Sequence, residues 1–178
     1  MKYIRALISL IQLSIVRIKN PHVKCSIFNN IGKRTRINIE KGSEARIGRK
    51  FSTRNNVEIN VRRSAELVIG NNVFFNSNCI VTVHKKLKIG NSVQFGPGCM
   101  IFDHDHDLDN GKHIEENIYK MSAIEIDDNT WIGANVVILR GTKIGRNCII
   151  GAGCVLKGNY PENSVIIQKR ENVIYPRV

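Results

Sequence analysis

The sequence lacks the features by which several large classes of protein are recognised. Its five cysteines include no C-x-x-C pair, so neither a zinc site nor a disulfide framework is indicated. No stretch reaches the ~20 apolar residues that a transmembrane helix needs. The apolar N-terminal segment is not followed by a small-residue cleavage site, which argues against a secretory signal. The basic residues are not interleaved with aromatic residues, so nucleic acid is not an expected partner.

Acidic residues are scarce in the first third of the chain. Residues 1–63 contain 15 Lys or Arg and 3 Asp or Glu, whereas residues 64–178 contain 12 of each kind. The formal charge of +12 therefore belongs to the first third. A basic segment of this kind can serve an anionic membrane surface, an acidic polysaccharide or simply solubility.

Residues 1–20 are predicted to form a short amphipathic helix. Ile4, Leu7, Ile11, Ile15 and Ile18 fall on one helical face. The Asn-Pro pair at 20–21 ends the helix, because the residue before a proline disfavours the helical conformation. Two interpretations stay open: the helix packs against the rest of the protein or a neighbouring subunit, or it lies in a membrane interface.

The dominant pattern is an aliphatic residue that returns every six positions, as in Ile126, Ile132, Ile138, Ile144 and Ile150. This period differs from the 3.6 of a helix and the 2 of a strand, and it suits a short strand followed by a corner. Five thirteen-residue frames superpose on it, with core residues at places one, seven and thirteen: 47–59, 69–81, 89–101, 126–138 and 144–156.

Other places in the frame carry their own preferences. The second place is Gly in four frames (Gly48, Gly70, Gly90 and Gly145), where we expect a corner with positive φ. The fifth and eleventh places are mostly small or β-branched, and four cysteines occupy them. We therefore expect Cys79, Cys99, Cys148 and Cys154 to be buried packing residues of a protein in a reducing compartment.

This pattern resembles the hexapeptide-repeat acyltransferases. The resemblance implies an all-β fold, a left-handed parallel β-helix over residues 21–158, with the N-terminal amphipathic helix at 1–20 and a C-terminal tail at 159–178. Left-handedness is implied by the family and not by the spacing. An extended active-site loop, 102–123, is expected to interrupt the helix.

The loop is visible as a break in the spacing. Ile89 and Ile126 are 37 residues apart, where uninterrupted coils need about 18. The excess of about nineteen residues carries three of the five histidines and six acidic residues. Loops on a rigid scaffold are common sites of chemistry.

The resemblance implies a catalytic histidine in this loop. Counting from the preceding coil places it at His106, with His104 as a rival, and Asp103, Asp105 and Asp107 are candidates to hold its second ring nitrogen. His84 and His104 share one place in successive coils and should stack. With a third imidazole they would resemble the zinc site of γ-type carbonic anhydrases.

Other site residues are also carried over from the resemblance. Asn76, Asn78 and Trp131 match substrate-binding positions. Coenzyme A is expected to contact Ala134, Gly151, Ala152, Gly153, Lys157, Lys169 and Arg170. The tail lacks the Gly and Pro that relatives usually have after the last coil.

The resemblance thus implies an acetyl-CoA-dependent O-acetyltransferase that acts on a sugar hydroxyl of a bacterial surface polysaccharide or its precursor. A homotrimer with sites between subunits is expected, in the cytoplasm or on the inner face of the membrane, without a metal. The alternatives are a xenobiotic or amino-sugar N-acetyltransferase, a zinc-dependent hydratase and an inactive assembly scaffold.

Overall fold

A computed structural model describes residues 10, 11, 14, 18, 22–26, 29–109, 113, 117–169 and 171. They form a left-handed parallel β-helix of about six turns, as predicted. Sheet A contains β1 (Val23–Cys25), β3 (Glu44–Ile47), β6 (Glu66–Ile69), β9 (Lys86–Ile89), β14 (Ile124–Ile126), β17 (Lys143–Ile144) and β20 (Asn159–Tyr160).

The other two faces have six strands each. Sheet B contains β4 (Ser52–Thr53), β7 (Phe74–Phe75), β10 (Gln94–Phe95), β15 (Trp131–Ile132), β18 (Ile149–Ile150) and β21 (Val165–Ile166). Sheet C contains β2 (Arg36–Ile39), β5 (Glu58–Val61), β8 (Ile80–Val83), β11 (Met100–Phe102), β16 (Val137–Leu139) and β19 (Val155–Leu156). The chain runs from A to B to C in each turn, and we name the corners the A–B, B–C and C–A edges.

The core is the column of side chains that the six-residue period predicts. Every residue at places one, seven and thirteen of the five frames is buried, and so are the four cysteines of the small-residue places. The rings of Phe75 and Phe95 stack along the axis with centroids 4.2 Å apart. The adjacent Cys79 thiol and burial raise the pKa of the Cys99 thiol, so this cysteine packs as a neutral side chain.

The prediction that the repeated glycines adopt positive φ is wrong. Gly48, Gly70, Gly90 and Gly145 are absent from the positions with positive φ. Each of them lies directly against the next coil: a Cβ on Gly70 would be 2.6 Å from the carbonyl carbon and oxygen of Gly90. Glycine is therefore needed there for space between coils.

Two regions at the ends of the helix complete the fold. Of the predicted N-terminal helix, Leu10, Ile11, Ser14 and Ile18 are described, all helical and exposed, and its other residues lie outside the described part. No helix in the described ranges is long and apolar enough to cross a bilayer. After residue 158, where the repeat was expected to end, β20 and β21 extend sheets A and B to Ile166.

Candidate active site

The inserted loop leaves the β-helix at the C–A edge. Leu87 in β9 pairs with Ile124 in β14, so the 37-residue spacing is one turn plus an excursion. The excursion begins and ends as an antiparallel hairpin of β12 (His104–His106) and β13 (Tyr119–Met121). Because side chains alternate along a strand, His104 and His106 lie on one face of the hairpin.

Asp103 anchors the root of this hairpin. Its carboxylate is fully buried and accepts hydrogen bonds from the backbone N–H groups of His84 (2.7 Å), Lys85 (2.7 Å) and Lys86 (2.8 Å). A buried carboxylate is tolerated when such donors replace its water. Asp103 thus ties the hairpin to the turn of the preceding coil.

The three imidazoles near the hairpin gather around one tyrosine. The rings of His84 and His104 stack with centroids 3.8 Å apart, as predicted from their shared place in the coil. The Tyr119 ring centroid lies 4.6 Å from that of His84, 5.3 Å from that of His104 and 4.9 Å from that of His106. We call these four side chains the imidazole cluster.

Exposure differs between the two candidate bases. The His104 side chain is only 16% exposed, and its Nδ1 lies 3.5 Å from Oδ1 of Asp103. His106 is exposed and pairs across the hairpin with Tyr119. A substrate approaching from solvent therefore reaches the His106 ring more readily than the His104 ring.

Burial and the neighbouring His104 hold the pKa of His84 below its ordinary value. Because the folded-state pKa is lowered, the unfolded chain binds this proton more readily than the folded protein does. The contribution of neutral His84 to the free energy of unfolding is fully present above the ordinary histidine pKa. It is lost as pH falls through the lowered pKa of His84 in the folded protein. His84 is accordingly a neutral stacking partner at pH 7.

Four acidic residues of the loop, Asp103, Asp105, Asp107 and Asp109, lie in the part that the structure describes. Asp103 binds the backbone amides and faces His104, whereas Asp105 Oδ2 accepts a hydrogen bond from Arg140 Nε at 2.5 Å. Lys120 pairs with Asp109, and its Nζ lies 3.5 Å from Oδ1 of Asp107. Asp103 and Asp105 are thus paired with groups other than His106, and the orientation of the His106 ring by a carboxylate stays a prediction, with Asp107 as the third candidate.

The residues expected to bind substrate and coenzyme A lie mainly on another edge. Asn76, Asn78, Ala134 and residues 151–153 form the B–C edge, at the start of the sheet-C strands. Trp131 points outward from sheet B and is 51% exposed. Lys157 lies on the C–A edge, Lys169 is exposed after β21, and Arg170 lies outside the described residues. Apart from Lys157, the described residues expected to bind coenzyme A thus lie away from the C–A edge that carries the imidazole cluster.

The sequence did not indicate two residues of the site, Tyr119 in the imidazole cluster and Arg140 beside it. Tyr119 could have been found only by recognising that residues 104–106 and 119–121 pair as strands. Arg140 belongs to the following coil, and its pairing with Asp105 depends on the hairpin's direction. The described residues contain no group of three His, Cys, Asp or Glu side chains that could hold a metal ion.

A family model supports the repeat independently. Residues 123–158 match the family described as bacterial transferase hexapeptide (six repeats). Residues 123–158 therefore carry the repeat of that family. A match over these late coils, together with the parallel sheets that continue on both sides of them, assigns the whole β-helix to that architecture.

Sequences of proteins named as acetyltransferases resemble this chain. A probable acetyltransferase of Mycobacterium tuberculosis is 28% identical over 169 residues, covering 90% of this chain and 54% of that protein. A putative acetyltransferase of Staphylococcus aureus is 36% identical over 120 residues, covering 65% and 60% respectively. The chain thus spans little more than half the length of these relatives.

Solved structures share the hexapeptide-repeat fold. An N-acyltransferase from Bacillus cereus, in complex with dTDP-4-amino-4,6-dideoxyglucose and coenzyme A, superposes with a TM-score of 0.66 at 12% identity, covering 93% of this chain and 90% of that one. A hexapeptide-repeat acetyltransferase from Vibrio cholerae gives 0.51 at 23% identity, with 75% and 65% covered. At these identities the likeness is one of fold.

Proposed function

We propose that this protein is an acetyl-CoA-dependent O-acetyltransferase acting on a sugar hydroxyl of a bacterial surface polysaccharide or its precursor. The observation that carries the proposal is the exposed His106 imidazole, which a hairpin inserted in a hexapeptide-repeat helix presents at the C–A edge. Support also comes from relatives named as acetyltransferases and from the coenzyme A complex of the Bacillus cereus enzyme of this fold.

The chemistry asks for one base and one acid, because acetyl-CoA is already an activated thioester. The neutral His106 ring accepts the proton of the acceptor hydroxyl as its oxygen attacks the carbonyl carbon. The carbon–sulfur bond then breaks, and the imidazolium returns the proton to the departing thiolate. Transfer is direct in this proposal, since Cys79, Cys99, Cys148 and Cys154 are buried and the half-buried Cys25 lies in β1, three strands away from β9 in sheet A.

The test is a thiol-release assay with acetyl-CoA and a panel of neutral, acidic and amino sugars. His106→Ala should lower kcat by roughly 10²–10⁴-fold, the usual effect of removing a positioned base. The affinity for acetyl-CoA should hardly change. His104→Ala should have a smaller effect, acting through the cluster's geometry.

His22→Ala is the matched control, since His22 precedes β1 and lies far along the chain from the hairpin. A reversed order of the His106 and His104 effects would make His104 the base. Turnover only with amino sugars would assign N-acetylation. If neither substitution lowers turnover while a chelator abolishes it, acyl transfer from this hairpin is wrong and a metal-dependent reaction replaces it.

We propose that the active form is a homotrimer with its sites between subunits. The imidazole cluster lies at the C–A edge and the expected acetyl-CoA contacts lie mainly at the B–C edge, so a neighbouring copy is needed to juxtapose them. An exposed apolar row of Trp131, Ile149 and Val165, in register on sheet B, offers surface for such packing.

We also propose peripheral contact with the inner face of an anionic membrane. Ile11 and Ile18 are 52% and 81% exposed on one helical face, and both belong to the basic first third of the chain. Ile11→Ser with Ile18→Ser should reduce flotation with phosphatidylglycerol vesicles, whereas Leu108→Ser at the hairpin should not. Unchanged flotation of the double variant with phosphatidylglycerol vesicles, or equal flotation of the wild type with neutral vesicles, would contradict the proposal.

A further inference from the structure

Tyr119 occupies the centre of the imidazole cluster without belonging to the reaction as proposed. Its ring lies within 5.3 Å of three imidazole rings, two of them on the hairpin and one on the preceding coil. The ring planes are inclined by 60° to His84, 85° to His104 and 45° to His106. Inclined arrangements at such distances are the attractive ones for aromatic rings.

Backbone pairing fixes where this ring can lie. Tyr119 is the cross-strand partner of His106, so their side chains leave the hairpin side by side. Below them the His84–His104 stack is held by Asp103, whose carboxylate binds the amides of the turn at residues 84–86. The ring therefore bridges a firmly anchored stack and an exposed imidazole.

The hydroxyl group faces a different environment from the ring. Its O–H donates a hydrogen bond to Oδ1 of Asn117 at 3.3 Å, within the exposed part of the hairpin. The contacts to the imidazoles are thus made by the aromatic ring, and phenylalanine would keep them.

We infer that Tyr119 is a positioning residue, whose ring holds the exposed His106 imidazole against the anchored His84–His104 stack. The inference rests on the proposed function, because it assigns His106 the role of base. A base that is free to rotate spends little time aligned with the acceptor hydroxyl, and a displacement of about 1 Å can cost on the order of 10²-fold in rate.

Kinetics of Tyr119→Ala and Tyr119→Phe test the role of the ring. Tyr119→Ala should lower kcat by about 10- to 100-fold, because the His106 ring loses its support, with the KM for acetyl-CoA unchanged. Tyr119→Phe should retain nearly full activity. The matched control is Ile118→Ala, since Ile118 precedes Tyr119 in the chain and is 39% exposed, and alanine keeps the backbone carbonyl that accepts a hydrogen bond from the Asp107 N–H.

A second readout does not depend on activity. In histidine-resolved NMR titrations, Tyr119→Ala should shift the imidazole signals of His84, His104 and His106, because they lose the ring current of the tyrosine. The pKa of His84, held down mainly by burial, should move up towards its ordinary value. Tyr119→Phe and Ile118→Ala should leave both properties close to wild type.

The outcomes separate this inference from the proposed function. Unmoved histidine signals in Tyr119→Ala would overturn the positioning role, whether or not the protein transfers acetyl groups. Equal losses in Tyr119→Phe and Tyr119→Ala would move the effect from the ring to the hydroxyl and also overturn it. Shifted signals in a protein without acetyltransferase activity would keep the contact and remove the function. Thermal unfolding of each variant shows whether the β-helix itself is intact.

Discussion

At the scale of single residues, nearby positions of the repeat differ in what they require: one needs positive φ, and another has no room for a Cβ. Positive φ occurs two residues after the glycine or its equivalent in all five frames, at Lys50, Asn72, Ser92, Asn129 and Asn147. Asparagine tolerates this left-handed conformation better than most residues. Glycine is used where the backbone of the next coil leaves no room for a Cβ.

Gly70→Ala should therefore be strongly destabilising, because the added Cβ would overlap the backbone of the next coil. Its Cβ would lie 2.6 Å from the backbone of Gly90 and 2.9 Å from the nitrogen of Asn91, and backbone atoms cannot move aside as a flexible side chain can. We expect a loss of about 3 kcal/mol, the upper end for overpacking a core. Thermal or denaturant unfolding followed by circular dichroism measures it.

Gly42→Ala is the control for this prediction. Gly42 has a φ of +89°, and the nearest atom to its Cβ would be Cγ of Arg63 at 3.9 Å. Only the conformational cost of about 1 kcal/mol should apply there. A Gly42 variant as unstable as the Gly70 variant would mean that φ, and not the spacing of coils, governs these glycines.

At the scale of elements, the strands of the β-helix could be predicted and the inserted hairpin could not. Two-residue strands such as β10 and β15 have no local pattern of their own, but the repeat of Phe95 and Ile132 in successive frames places them. The period predicts the strand positions because each coil packs on a neighbouring coil of similar sequence. The excess of residues between Ile89 and Ile126 located the loop for the same reason.

The contacts inside the loop could not be predicted from the repeat. Asp103, Asp105 and Asp107 are equivalent by residue type and alternation, yet one is buried under a turn, one pairs with Arg140 and one lies beside Lys120. Their differences come from the direction of the hairpin and from the adjacent coils. The stacking of His84 on His104 could be predicted, because both positions belong to the coil register.

At the scale of the whole molecule, the three edges of the β-helix have separate properties. The C–A edge carries the imidazole cluster, and the B–C edge carries the small residues Ala134, Gly151 and Ala152. They lie at opposite ends of the sheet-C strands, so a reaction that needs both edges requires two subunits. This separation is the structural basis for proposing sites that two neighbouring copies share.

Mixed oligomers provide the test of shared sites. Ala152→Trp adds a large ring at an exposed position of the B–C edge and should block acetyl-CoA, while His106→Ala removes the base at the C–A edge. Each variant alone should be nearly inactive. After denaturation and refolding together in equal amounts, about a quarter of randomly assembled shared sites should combine an intact edge from each parent, and activity should return to that level.

The control and the contradicting result follow from the same geometry. The control is each variant refolded with His22→Ala, which is intact at both edges. About half of full activity is expected, because only one edge is damaged in such a mixture and half of the shared sites receive an intact copy of it. If each site lies within one subunit, the His106→Ala and Ala152→Trp mixture should stay inactive, since every subunit carries one damaged edge. Light scattering on the mixtures reports the oligomer directly, and a monomeric mass in an active preparation would also refute shared sites.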